Sequence, residues 1–108
     1  KDIERLDADS AQNLIMALAP STFRLKEDDD DSLHMGFIAQ DVRDVMEQVG
    51  MKDNALVGGP EGHMGLSYTE LLAPLVALAQ RQQRTIEKLE ARVGELEKAM
   101  ERLTNDGR

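Results

Sequence analysis

Between residues 72 and 103 the apolar positions step along the chain by three and four. Leu72, Ala79, Ile86, Val93 and Met100 fall at the a position of a heptad and Leu75, Gln82, Leu89, Leu96 and Leu103 at d, with Gln82 the one polar exception. So narrow a stripe predicts a left-handed coiled coil rather than a helix laid on a globular core. At 1.5 Å per residue it projects for roughly 48 Å. A small head cannot cover a seam of that length, so other chains must. Pattern alone leaves two and three strands open. Ser67 and Glu70 have the spacing of a capping box, with Leu66 and Leu71 as its hydrophobic staple, so the helix is expected to start near Tyr68. Pro74 removes a backbone donor and predicts a kink or local opening in the first turns. Arg92 at g and Glu97 at the following e can pair between parallel neighbours. The Ala79 and Gln82 layers are weak, either loose or register-fixing.

The rest of the chain reads as short elements. Residues 1–9 are polar with Ile3 and Leu6 as candidate anchors. From Ser10, taken as an N-cap, a helix carries Leu14, Ile15 and Leu18 on one face and ends before Pro20. "STFRLK" alternates as a half-buried strand, with Phe23 and Leu25 on one face. The polar run "EDDDDS" at 27–32 separates it from a second strand at His34–Ala39, which makes a hairpin. Val42, Val45, Met46 and Val49 then mark a one-sided helix, with Asp41 placed to cap it and Gly50 to end it. After Gly50, two short apolar runs flank a Gly-Gly-Pro-Glu-Gly turn and suggest another hairpin. The organisation expected is an α+β head over 1–66 and a stalk over 67–108.

Candidate chemistry thins out on inspection. "EDDDDSLHMGFI" has neither the sixth-position Gly nor the twelfth-position Glu of an EF-hand loop, so the acidic run reads as a solvated hairpin tip. His34 and His63 have no ligand partner at metal spacing, and the glycine-rich turn lacks the Gly-Lys-Ser/Thr ending of a phosphate loop. No cofactor or metal is expected. With 108 residues and no Cys, the head has no disulfides to support a marginal core, which favours oligomerisation. The net charge of -8 argues against a nucleic-acid face, and no run is long and apolar enough to span a membrane. Opening at Lys1 rather than Met, the chain reads as a fragment or a processed product.

Three stretches carry a family resemblance: "LAPSTFRLK" at 18–26, "HMGFIAQDV" at 34–42 and "GLSYTELLAPLVALAQRQQRTIEKLEARV" at 65–93. In this order they resemble the C-terminal intramolecular chaperone domain of bacteriophage tail spikes and tail fibres, the endosialidase type. The resemblance implies a parallel homotrimer whose C-terminal helices bundle. It also implies a partner, the β-rich fibre or spike upstream in the same precursor, whose assembly the domain aids in the host cytoplasm before cutting itself off. That cleavage uses a motif of the form Ser-Asp-x-x-x-Lys, with the cut just before the serine. Chemically, Lys serves as general base for a Ser hydroxyl only where desolvation or nearby positive charge lowers its pKa.

This chain departs from the pattern at that motif. The family's lysine is usually followed within three residues by an Ile or Val such as Ile3, so Lys1 is the candidate general base or the residue right after it. No serine precedes it, and Ser10, Ser21 and Ser32 match neither the spacing nor the order. The chain therefore reads as the released product of a single-turnover Ser/Lys self-cleavage. The alternative is a permanent trimerisation module that is never cut. Similar domains also occur in the membrane-tethered myelin regulatory factor, a context that this acidic, Cys-free chain does nothing to favour.

Overall fold

The computed structural model describes residues 1–26, 29–51, 55–59 and 65–106. Two compact units divide the chain, Lys1–Leu78 and Ala79–Arg108. The first contains helix α1 (Ala8–Ala17), strands β1 (Ser21–Arg24) and β2 (Leu33–Gly36), helix α2 (Ala39–Val49), and strands β3 (Val57–Gly58) and β4 (Gly65–Leu66). A 3₁₀ turn, Tyr68–Leu71, then leads into helix α3 (Leu72–Asp106), whose first turns belong to this unit and whose remainder forms the second.

Both strand pairs are antiparallel, as the two expected hairpins require: Ser21 opposes Gly36 and Arg24 opposes Leu33, while Val57 opposes Leu66. A two-stranded hairpin is marginal alone and needs helices to pack on. Here the core is Leu14 of α1, Val42 and Met46 of α2, Leu56 and Leu71. Leu14 is 1 % exposed and Leu56 2 %. Ile15, Leu18, Val45, Val49 and Met51 line its edge, so both predicted helix faces are the ones used.

The helix ends follow physics that the sequence only partly displays. Asp7, not Ser10, caps α1: its carboxylate accepts from the Ser10 backbone N–H at 3.2 Å and the Ser10 hydroxyl at 3.1 Å. An N-cap oxygen bonds two or three residues ahead, which puts Ser10 inside the first turn. Ile38, not Asp41, caps α2 and makes no side-chain bond; its carbonyl takes the first helical N–H, from Val42, at 3.0 Å. Half-burial of the Ile38 side chain takes the place of a polar cap, and Asp41 lies in the first turn, where the helix dipole favours a carboxylate.

Gly50 ends α2 as predicted, in the left-handed region at φ 79°. Met51 N–H donates to the Met46 carbonyl at 2.8 Å, closing the turn with Met51 against the core. Four other expectations shift. Residues 34–39 are not one strand: β2 stops at Gly36 and α2 starts at Ala39. Leu25 lies past β1 and is exposed, and Ile3, expected as an anchor, is 92 % exposed. Ser67 precedes the 3₁₀ turn without a side-chain capping bond; instead its backbone N–H donates to Leu56 and its carbonyl accepts from Glu70.

Candidate functional site

Three places bear on function: the seam of α3, the elbow between β2 and α2, and the N-terminal segment. Helix α3 forms because good helix formers fill it, with Gly94 its only interior Gly and Pro74 confined to the first turn. Pro74 and Leu78 are buried within the first unit, and Leu71 of the preceding turn reaches the core. The a and d positions behave in the opposite way. Leu72, Leu75, Ile86, Leu89, Val93, Leu96, Met100 and Leu103 are 46–74 % exposed, an apolar stripe that the other described residues leave uncovered. Ala79 and Gln82 are exposed on the same stripe. Midway along the second unit, Ile86, Leu89, Glu90, Val93, Gly94 and Glu97 line a concavity of about 450 Å³.

The elbow joins two of the stretches that carry the resemblance. Tyr68, from the turn that opens the long helix, sets its hydroxyl against the strand end: the Phe37 backbone N–H donates to Tyr68 Oη at 3.4 Å. The Phe37 and Tyr68 rings lie 6.2 Å apart. A Cβ on Gly36 would sit 2.6 Å from that hydroxyl, so glycine here makes room for the tyrosine. Phe23 stacks on His34 across the same hairpin with ring centroids 5.8 Å apart, which gives His34 a packing role. Sequence reasoning missed the Tyr68 contact; a Gly beside an aromatic at a strand end was its only signal.

At the hairpin tip, Asp29–Asp31 are exposed. The Asp30 carboxyl is held below its ordinary pKa by hydrogen bonds from Ser32, whose N–H donates to it at 3.2 Å. Arg24 Nε donates to the Asp31 carbonyl at 3.1 Å and stands 3.5 Å from its carboxylate, closing the hairpin. Among the described residues no group of three or more His, Asp or Glu could hold a metal ion. Glu27, Asp28 and His63 lie outside the described residues.

Lys1 is exposed at the head of an irregular segment that runs to Asp7. The hydroxyls of Ser10 and Ser21 are engaged locally, with the Asp7 carboxylate and with the Ala19 carbonyl at 3.0 Å. Gln40 is exposed on α2. Among the described residues no helix is long and apolar enough to cross a membrane.

No curated protein matches the chain. A family model described as chaperone of endosialidase matches residues 1–51. The match covers α1, the first hairpin, and α2 with its closing glycine, while the stretch at 65–93 lies beyond it. Over residues 1–51 the chain is thus similar to the chaperones of endosialidase.

Proposed function

We propose that this chain is an intramolecular assembly chaperone that forms a parallel homotrimer through the α3 seam and aids folding of a β-rich tail fibre or spike upstream in the same precursor. One observation carries the reading: an exposed heptad stripe follows a head whose residues match the chaperone family. Covering each seam side chain fully contributes about 1.5–3 kcal/mol, so a bundle along the whole stripe offsets the cost of bringing chains together. The e positions favour parallel chains. Parallel packing brings Arg92 at g toward Glu97 at the following e, an opposite-charge pair that antiparallel packing, which brings e toward e and g toward g, does not make.

Release follows by self-cleavage in a longer precursor. A serine upstream of Lys1 supplies the hydroxyl, and a lysine at or just ahead of position 1 takes its proton once assembly lowers the lysine pKa. Two measurements test the proposal. Light scattering on the 12.0 kDa chain should give three times the monomer mass; a monomer at high micromolar concentration would overturn the assembly role. Mass spectrometry of a precursor extended upstream should show a cut just ahead of a serine; an intact trimeric precursor would leave the permanent trimerisation module in its place.

A further inference from the structure

The concavity on α3 has a composition that specifies its occupant. Ile86, Leu89, Glu90 and Val93 stand at i, i+3, i+4 and i+7, positions a, d, e and a of the seam. In parallel coiled coils that set of four forms the hole that receives a d-position knob from the neighbouring helix. Gly94 and Glu97 extend the hole along the e side. A Cβ on Gly94, four residues after Glu90 and three before Glu97, would meet nothing within 4 Å, so the surface there is open. The matching feature is on the same helix: Arg92 is the one cation at a g position, three residues after Leu89.

From this geometry we infer that the concavity is a register lock for a second copy of the chain. Leu89 of the neighbour fills the hole, and Arg92 of the neighbour crosses over Gly94 to reach Glu97. The inference rests on the parallel bundle proposed above and adds to it the place where alignment is fixed. Charge complementarity selects the occupant, because a cation three residues beyond an apolar knob meets an acidic rim beside an apolar hole. A slip of one heptad in either direction would bring Arg92 to Glu90 or Thr104 and set Ile86, Leu89 and Val93 in mismatched layers, with Gln82 or Leu96 as the knob.

The sign of a substitution at Gly94 separates a lock from an open surface. On an open helix face Gly94→Leu raises helix propensity and strengthens the assembly. Under the lock it obstructs Arg92 and lowers the melting midpoint of the oligomer, while Gly94→Ala changes it less. Arg92→Glu should weaken the assembly roughly tenfold in apparent dissociation constant, summed over three copies, and Arg92→Glu with Glu97→Arg should recover most of that loss. The chain lacks Cys, so Arg92→Cys with Glu97→Cys should give interchain disulfides under mild oxidation, read on denaturing gels. An oligomer that forms normally but gains stability from Gly94→Leu, or shows no rescue by the charge swap, overturns the lock and leaves the bundle standing. A wild-type chain that stays monomeric overturns both.

Discussion

The two units solve the same problem, hiding apolar side chains, in opposite ways. The first closes its core within one chain, where Leu14 and Leu56 are almost wholly covered. The second leaves every a and d residue open along a single helix. Charge follows the division. Residues 1–78 hold 15 acidic and 6 basic side chains, whereas 79–108 hold 6 and 7. A strongly acidic head resists contact with its copies, and a balanced stalk accepts it. In the proposed assembly, specificity for self is thus concentrated in the stalk.

Perturbing either solution should leave the other in place. The largest effect is expected from Leu89→Asp with Leu96→Asp, which puts charge into the seam of every copy. Light scattering should then give monomers while the head still unfolds cooperatively; an intact trimer would defeat the stalk assignment. Next comes Leu14→Ala. Truncating a leucine in a closed core costs about 2–5 kcal/mol. The head transition in thermal unfolding should fall while the oligomer persists; a head unmoved by this change would mean that its core is not where the packing puts it.

A smaller effect is expected at the elbow. Tyr68→Phe removes the acceptor of the Phe37 N–H but keeps the ring, and should cost about 0.5–1.5 kcal/mol. Gly36→Ala should cost about as much by displacing the same hydroxyl, and the double change should cost no more than the larger single one. Additive losses would separate the two groups. The smallest effect is ionic. A parallel bundle tethers the acidic heads at one end, so raising salt from 0.05 to about 0.5 M should lift the assembly midpoint by a few degrees through screening. A fall would assign the net ionic contribution to attraction along the stalk instead.

Much of this was legible in the residues. Alternation at Ser21–Arg24, the helical period of Val42–Val49, Gly50 as a helix stop and the heptads from Leu72 are local signals, and local geometry follows them. Caps were harder, because several polar residues compete near each helix start and the winner is set by backbone direction. Asp7 prevailed over Ser10 on reach, and Ile38 over Asp41 on burial. The Tyr68 contact was hidden for another reason. It joins residues far apart in sequence, and no periodicity encodes which aromatic will lie over which glycine. The seam was legible as a stripe, and its hole around Gly94 only once the side chains stood in three dimensions.

Leu71 has a consequence for the order of events during synthesis. It completes a core that begins at Leu14, so the head cannot close until the chain has been made through the turn that precedes the long helix. Contacts so distant in sequence form slowly compared with the local hydrogen bonds of α3. A ribosome adds about 5–20 residues per second, so the whole stalk follows Leu71 within a few seconds. Head closure and completion of the stalk helix therefore fall in the same short interval of synthesis.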